Sequence, residues 1–404
     1  MSTPTQNSRD VAPDAGQSGG HALANMLLAI SAFVIVTTEF IIVGLLPALA
    51  RDLHITIPVA GLLVTLFAFT VMLFGPVLTA ALSHFERKRL FVVILLLFAG
   101  SNALAAAAPN MWVLGLGRFI PALALPVFWG TASETASELA GAEKAGRAVA
   151  NVYLGISGAM VLGIPLGTLA SDVLGWRGTF WGLSGLSLLM ALMLFAVMPK
   201  IAKPVRVRLA DQARILRDPY FLGNVVLSVI VFTAMFTGYT YLADTLEQIA
   251  RIPSHQVGWW LMGFGVVGMG GNWLGGHFVG RDPLHVTLIA VGVLAFGVAA
   301  TTPLAGQRIW LALALCIWGI ANTALYPICQ MRVMKSASHA QALAGTLNVS
   351  MANAGIGLGA ILGAFVIKDL GLHNLGYVAA GIAVLAMLFV PVVARLKPIG
   401  FVAT

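Results

Sequence analysis

Apolar residues fall into about twelve long stretches, each ended by a short polar turn or by a turn with proline or glycine. A helix needs about 20 apolar residues to cross roughly 30 Å of hydrocarbon, and each stretch supplies them. Because lipid offers the backbone no hydrogen-bond partner, we predict helices rather than the weakly alternating strands of a barrel. The predicted spans are residues 22–48, 57–81, 89–108, 111–133, 147–171, 177–198, 219–243, 255–279, 284–303, 308–330, 341–367 and 373–394.

The composition agrees with a polytopic membrane protein. Hydrophobic residues make up 59% of the 404 residues and charged residues only 9%, which is far from a soluble globular domain. Residues 1–21 are polar and lack the basic region, apolar core and cleavage site of a signal peptide, so we expect a disordered cytoplasmic tail. The predicted fold class is an all-α membrane protein.

The basic residues indicate the orientation. If the N-terminus is cytoplasmic, most lysines and arginines outside the spans are also cytoplasmic, and the opposite side holds only Arg51, Arg177, Arg251, Arg308 and Lys368. This bias predicts that both termini are cytoplasmic. It also accounts for the formal net charge of +8 without nucleic acid as a partner.

The chain divides into two halves that resemble each other. The longest polar connection, residues 199–218, is a predicted cytoplasmic linker between an N-terminal bundle, 22–198, and a C-terminal bundle with a short tail, 219–404. A shift of 197 residues pairs Asn151 with Asn348, Val152 with Val349, Gly158 with Gly355, Ile164 with Ile361 and Asp172 with Asp369. Such duplication is typical of transporters in which a substrate site forms near mid-membrane between two rocking halves.

Two formal charges fall clearly within the predicted spans, Glu39 in the first and Arg118 in the fourth. Glu39 lies about 12 Å of helix before the end of its span at Pro47, and Arg118 lies about 10 Å after Met111. An ionised side chain at that depth costs at least a few kcal/mol unless it is paired or faces a wet cavity. We therefore expect both residues to face the interior of the first bundle.

Glu39 fits two roles. It could be a proton site, because burial and a nearby arginine change the proton affinity of a carboxylate in opposite directions, and a moving protein can change either. It could instead form a static pair with Arg118 or keep its proton throughout. Arg118 could tune Glu39, meet an anionic group of the substrate, or bond only to backbone carbonyl groups.

Aromatic and amide side chains inside the spans are candidates for a central substrate cavity, where aromatic faces and a few amides bind amphipathic molecules. They are Trp129, Tyr239, Tyr241, Trp318, Asn322 and Tyr326. Helix packing is the alternative role of each one.

The fifth span has closely spaced small residues in the stretch GISGAMVLGIPLG, which contains Gly158, Gly163 and Gly167. Small residues let helices approach and slide, although they also pack static helices. Pro165 removes an internal hydrogen bond and should kink the span. We predict a hinge at this stretch.

The sequence gives no basis for other chemistry. Walker lysine, HExxH and CxxC motifs are absent, so we expect no ATP hydrolysis, no metal and no cofactor. Cys316 and Cys329 are spaced for neither a metal site nor a local disulfide. No paired carboxylates or Ser/His set lies at one membrane face, which argues against an enzyme.

Several motifs resemble the major facilitator superfamily, in particular the twelve-span drug:proton antiporters and their bacterial branch of sugar and purine-nucleoside efflux transporters. TTEFIIVGLLP is similar to the first span of that branch, and GLGRFIPALA to its fourth-span motif. GISGAMVLGIPLGTLASDVLGWRGTF resembles the antiporter motif, with matching Gly158, Gly163, Pro165, Gly167, Trp176, Arg177 and Phe180. The resemblance covers residues 23–397. It implies the major facilitator fold of two six-helix bundles, a bacterial inner-membrane location, and proton coupling through the matching Glu39 and Arg118.

The cytoplasmic loop after the second span departs from the family pattern. The family has Gly-x-x-x-Asp-Arg-x-Gly-Arg-Arg where this chain has TAALSHFERK, so the acid that would latch the two halves is replaced by Ser83. Arg87 and Lys88 remain. We expect the cytoplasmic gate to use Glu86 together with these two basic residues.

The predicted function is a secondary active transporter that exports a small organic solute (a sugar, nucleoside or drug-like molecule) in exchange for protons by alternating access. The alternatives are a proton-independent or uptake transporter of the same fold and a non-transporting polytopic membrane protein. The expected partners are a small-molecule substrate, protons and the lipid bilayer, and the protein is expected to act as a monomer.

Overall fold

The computed structural model describes residues 15–82, 84–141, 144–199, 201, 213–278, 282–337 and 340–396. These residues form long α-helices joined by short turns, and no strand occurs among them. The helices are α1 Ala15–Asp52, α2 Ile57–Leu82, α3 Arg87–Ala106, α4 Met111–Ala140, α5 Ala145–Gly158, α6 Ile164–Val197, α7 Pro219–Tyr239, α8 Ser254–Phe278, α9 Pro283–Leu304, α10 Arg308–Ser336, α11 Gln341–Asp369 and α12 Leu375–Arg395. A π-helical turn, Ala159–Gly163, joins α5 to α6.

The predicted all-α membrane fold is confirmed. Ten helical segments of the described chain are long and apolar enough to cross a membrane. One of them, 147–197, has 51 residues and is broken at Gly175, whose φ of 70° lies outside the helical range, so it contains both the fifth and the sixth predicted spans. The glycine-rich α8 has the length of a span but is not among the ten, and its crossing stays a prediction.

Polar caps fix where several helices begin. Asp218 and Asp282 each precede a proline at the first helical position, and both accept hydrogen bonds from the backbone N–H groups of the next turn. Asn110 caps α4 in the same way, accepting from the N–H groups of Trp112 and Val113 at 3.1 Å. This cap fixes the first turn of α4, eight residues before Arg118.

The two ends of the bundle are called inner and outer after the predicted orientation, in which the N-terminus is inner. That orientation stays a prediction. The proposed division into 22–198, 199–218 and 219–404 also stays a prediction, because residues 1–14, most of the linker and residues 397–404 lie outside the described residues.

Each half packs mainly on itself, and equivalent helices join the halves. α1 lies against α5 and α6, and α2 and α3 lie against α4; in the second half α7 lies against α11 and α12, and α10 against α8 and α9. The halves meet where α2 contacts α11 and where α6 contacts α8. The first residues of α6 belong to the fifth span. In the sequence repeat the fifth span is equivalent to α11, and α2 is equivalent to α8. The contact of the fifth span with α8 is therefore the counterpart of the contact of α11 with α2.

Glycines let the fifth span and α11 lie close to their neighbours. A Cβ added at Gly163 would lie 3.0 Å from Cβ of Thr37 in α1. A Cβ added at Gly359 in α11 would lie 2.7 Å from the carbonyl oxygen of Thr233 in α7. Because real Cβ atoms rarely approach so closely, glycine is required at both contacts. Close approach at a glycine therefore occurs in both halves, in the fifth span and in α11.

Candidate functional site

Glu39 faces a small cavity at the junction of the two halves. The cavity is lined by residues of α1, α2, α4 and α11: Glu39, Phe40, Val43, Val64, Phe67, Ala68, Arg118, Asn353 and Ile356. The cavity volume is about 10 Å³, far below the roughly 300–1,000 Å³ of an ordinary ligand pocket. The carboxylate therefore lies between the halves, in a space no larger than a single water molecule needs.

Arg118 holds the backbone of α1 beside Glu39. Its Nη2 donates to the carbonyl oxygen of Glu39 at 2.6 Å, and its Nη1 donates to the carbonyl oxygen of Thr38. The buried guanidinium also lies over the ring of Phe67, 4.4 Å from its centroid. The sequence leaves three roles open for Arg118. In the structure, the side chain makes the bonds to backbone carbonyl groups.

The Glu39 carboxylate has no salt bridge among the described residues, although Arg118 is near enough for the two charges to interact. The apolar lining favours a neutral acid, whereas the guanidinium favours a carboxylate. Arg118 also has one buried N–H, on Nε, without a hydrogen-bond partner in the described chain. The arrangement can therefore hold Glu39 in either protonation state, depending on how water and Arg118 are placed.

A polar contact fixes α1 at this level. Asn102 of α3 donates to Oγ1 of Thr38 at 3.2 Å, and that hydroxyl donates to the carbonyl oxygen of Val34 at 3.0 Å. The sequence reasoning missed Asn102 and also Asn353, which faces the cavity from α11. Both are amides inside apolar spans, and that signal could have identified them.

Aromatic rings connect the cavity to the second half. Phe40, next to Glu39, lies 6.0 Å from Phe236 of α7, which lies 5.6 Å from Tyr239. Tyr239 stacks on Phe264 of α8 at 5.6 Å, and Phe264 meets the edge of Trp318 at 5.4 Å. All five rings are buried. They form a continuous aromatic path from the acid of the first half to α10 of the second.

The six predicted cavity residues occupy three places. Tyr239 and Trp318 belong to the aromatic path; Asn322 and Tyr326 follow Trp318 at four-residue intervals on α10, so the three share one face of that helix. Tyr326 lies near Glu39 and Tyr239.

The other two predicted cavity residues lie apart. Trp129 lines a separate apolar pocket inside the first half, between α1, α4 and α5. Tyr241 lies at the outer end of α7, where its hydroxyl donates to the carbonyl oxygen of Ala360 at 2.8 Å. A role in substrate binding stays a prediction for all six.

Three buried polar atoms near the aromatic path have no hydrogen-bond partner in the described part of the chain: Nε1 of Trp318, Oδ1 of Asn322 and Oδ1 of Asn353. Buried polar groups are usually paired, and an unpaired one costs about 1–3 kcal/mol. Near the aromatic path, the described part of the second half therefore contains one buried donor and two buried acceptors that are unpaired.

A family model described as Major Facilitator Superfamily matches residues 28–351. The chain belongs to this superfamily. Inner membrane transport protein YdhP of Escherichia coli (strain K12) is 34% identical over 375 residues, which are 92% of this chain and 96% of that protein. The probable sugar efflux transporter of Mannheimia succiniciproducens is 30% identical over 364 residues, which are 90% of this chain and 92% of that protein.

Among solved structures, a bacterial homologue of the human lysosomal transporter Spinster, in an inward-facing and occupied conformation, has a TM-score of 0.77 at 15% identity. The match covers 93% of this chain and 97% of that one, and it shows the fold. This major facilitator protein is therefore a multi-pass membrane transporter and not an enzyme.

On the outer side of this major facilitator protein, an ion pair joins the two halves. Nη1 of Arg51, at the end of α1, lies 2.5 Å from Oε1 of Glu247, in a π-helical turn Thr245–Ile249 that follows α7. Tyr241 fills the space beside Gly61 of α2, where a Cβ would lie 2.8 Å from the tyrosine ring. These contacts close the outer side above Glu39.

Toward the inner side, α2 and α11 stay in contact. A Cβ added at Gly75 in α2 would lie 3.5 Å from Oγ of Ser350 in α11, so the two halves also touch below Glu39. The described halves therefore touch both above and below the level of Glu39.

The predicted cytoplasmic gate residues make contacts within the first half. Glu86 caps α3, accepting from the N–H groups of Lys88 and Arg89 at 3.1 Å. The buried Arg87 donates to Glu134 of α4 at 2.6 Å, and Lys88 lies 5.3 Å from the ring centroid of Phe195. None of these described contacts crosses to the second half, and the gate stays a prediction.

The antiporter motif lies between α1 and α8. The π-helical turn ends just before Pro165, whose missing N–H interrupts the regular helical bonding. On one side, Gly163 and Gly167 face α1; on the other, a Cβ added at Gly265 of α8 would lie 2.8 Å from the carbonyl oxygen of Val161 in the turn. The predicted hinge therefore touches both halves, and Gly158 is less closely packed than Gly163.

Proposed function

We propose that the protein exports a small organic solute in exchange for protons by alternating access. The observation that carries this proposal is the position of Glu39, which is an acid in the cavity between two halves that an ion pair joins on the outer side. A carboxylate at this junction meets water from whichever side opens, and an apolar lining when both sides close. Proton binding can therefore be tied to the change of conformation.

Arg118 has a positioning role in this cycle. Its bonds to the carbonyl groups of Thr38 and Glu39 keep the positive charge at a fixed distance from the carboxylate. When the halves rock, α1 and α2 move relative to α11, which changes how much of Glu39 the residues Asn353 and Ile356 cover. Water would reach the acid from the outer side to load the proton and from the inner side to accept it.

The polar and aromatic surroundings support a neutral, polar solute with an apolar face. Tyr239 and Trp318 supply aromatic surface once the halves separate, and the buried atoms of Trp318, Asn322 and Asn353 that have no partner among the described residues can bond hydroxyl or amide groups. Sugars have both features, and several relatives bear the name probable sugar efflux transporter. We therefore propose a sugar first, with nucleosides and drug-like molecules as the other classes to test.

The test is transport by the purified protein in proteoliposomes, with counterflow measured against a panel of sugars, nucleosides and cationic drugs while the internal pH is recorded. The Glu39→Gln variant should keep counterflow of the substrate and lose transport driven by a pH gradient. The matched control is Glu138→Gln, which changes an exposed glutamate at the inner end of α4. Undiminished pH-driven transport by Glu39→Gln would remove the proton role.

Proton-independent transport is the second candidate, and the bonding of Arg118 favours it. An arginine committed to two backbone carbonyl groups would also suit a static packing role for both residues. In that case, the same assay would give substrate counterflow without any change of internal pH, and collapse of the pH gradient would leave net transport unchanged.

A further inference from the structure

Asp244 is a buried acid without an ion-pair partner in the part of the chain that the structure describes. It ends a short helix, Leu242–Asp244, that follows α7 at the outer side, and it is 0% exposed. Neither of its carboxylate oxygens has a hydrogen-bond partner among the described residues. Because an isolated ionised carboxylate is very costly in such a place, the group is expected to be neutral in this closed structure.

The positive charge that could pair with Asp244 is already engaged. Arg51 and Glu247 both lie near Asp244, but Arg51 forms its ion pair with Glu247, three residues further along the chain. That pair is partly exposed, with side chains 58% and 24% accessible. Arg51 thus pairs with Glu247, and Asp244 is left without a salt bridge among the described residues.

Other titratable groups surround this contact on every element that packs on it. They are Tyr241 and Glu247 of the same segment, Arg51 and Asp52 of α1, His255 of α8, His373 of the turn Leu372–Asn374, and Asp172 of α6. Asp52 pairs with Arg177, and Asp172, His255 and His373 are exposed. Asp244 alone in this set is an acid that is fully buried.

We propose that Asp244 binds a proton as the outer side closes and releases it as that side opens. Opening separates α1 from the segment 242–249, which breaks the bond between Arg51 and Glu247 and admits water to Asp244. The hydrated carboxyl group then loses its proton to water, and closure requires that a proton return. The inference rests on the alternating access of the proposed function but not on the role of Glu39.

The experiment measures the distance between spin labels on two exposed outer turns, one in each half, in the full-length protein. Ala107→Cys and Gly306→Cys supply the sites, with Cys316 and Cys329 replaced by serine and Glu39 replaced by glutamine so that its protonation does not contribute. The closed state holds one more proton than the open state, so the ratio of closed to open protein should fall as pH rises. For one proton, the fall is about tenfold per pH unit over the range in which only the closed state is protonated.

Asp244→Asn should abolish this pH dependence and keep the protein closed at high pH. Asp172→Asn, which removes an exposed aspartate from the same region, should leave the pH dependence intact. Asp244→Ala gives a second neutral side chain should the asparagine variant not fold. A parent protein whose closed fraction is independent of pH, or an Asp244 variant that keeps the pH dependence of the parent, would overturn the inference. Failure of the proposed function would appear separately, as pH-driven transport that survives Glu39→Gln.

Discussion

The guanidinium of Arg118 hydrogen-bonds the backbone carbonyl oxygen of Glu39 at 2.6 Å, while the carboxylate of Glu39 lines the cavity between the halves. The arginine therefore binds the helix that carries the acid and not the acid itself. In the proposed mechanism this separates two functions that a direct ion pair would combine: Arg118 holds α4 against α1, and Glu39 exchanges a proton.

Replacing Arg118 with lysine should separate the positioning role of this side chain from the effect of its positive charge. An ammonium group keeps the charge but cannot bond two carbonyl groups in the fork geometry of a guanidinium. We expect Arg118→Lys to lower the stability in detergent by about 1.5–3 kcal/mol, the range for a hydrogen bond to a charged group, while proton-coupled transport is retained in part. Arg118→Met, which also removes the charge, should lose both the stabilising hydrogen bonds and proton-coupled transport. Thermal unfolding and pH-driven uptake check the two expectations, and equal transport by both variants would contradict them.

Gly163 and Thr37 provide a steric test of the hinge. Because a Cβ at residue 163 would lie 3.0 Å from Cβ of Thr37 and closer still to its hydroxyl, Gly163→Ala should destabilise the protein by about 1–3 kcal/mol through overpacking. Thr37→Ala removes a hydroxyl that has no partner in the described chain and should restore part of the loss. Thermal unfolding of both single variants and the double variant gives the coupling energy.

The control for that test is Gly182→Ala in α6. A Cβ there meets no atom within 4 Å, so the variant should be neutral or more stable by up to about 1 kcal/mol, the difference in helix propensity. Equal destabilisation at residues 163 and 182, or no rescue by Thr37→Ala, would show that the contact with α1 does not explain the requirement for glycine.

Most of the fold could be predicted because the thickness of the bilayer determines how long and how apolar a spanning helix must be. The second span was predicted at 57–81 and α2 is Ile57–Leu82; the predicted boundary between the fifth and sixth spans falls around Gly175, where the helix breaks. Errors occur where helices continue beyond the apolar region. α1 begins at Ala15 rather than residue 22, and α4 runs to Ala140 rather than residue 133, because polar residues extend a helix without adding to its hydropathy.

The site could be predicted only in part. Glu39 and Arg118 do come together, as expected from their similar depth in the first and fourth spans. The contribution of Asn353 and the contact of Phe40 with Phe236 depend on how one half docks on the other, and no local pattern carries that information. The same holds for the ion pair of Arg51, whose partner is 196 residues away.

Trp318 tests the polar part of the proposed substrate site. Its ring belongs to the aromatic path, and its Nε1 is a buried donor without a partner among the described residues. Trp318→Phe keeps an aromatic ring and removes the donor, so binding of a polar substrate should weaken by about tenfold, the equivalent of one hydrogen bond. The matched control is Trp112→Phe, at a side chain that is 87% exposed near the outer end of α4. Equilibrium binding to both variants is the measurement, and an unchanged affinity in Trp318→Phe would remove this donor from the site.

Pro165 tests whether the π-helical turn moves during transport. The turn Ala159–Gly163 lies between α1 and α8, and the missing N–H of Pro165 leaves the helix without one of its internal bonds. Pro165→Ala supplies that N–H and should let the helix become regular, which raises the cost of bending it. Since the proline does not line the cavity, substrate affinity should change little while the turnover rate falls several-fold. Counterflow rates and equilibrium binding in the same preparation separate the two quantities. A turnover rate equal to that of the parent would mean that this segment moves as a rigid part of the first half. The bending would then have to occur elsewhere, and the helix break at Gly175 is the next candidate.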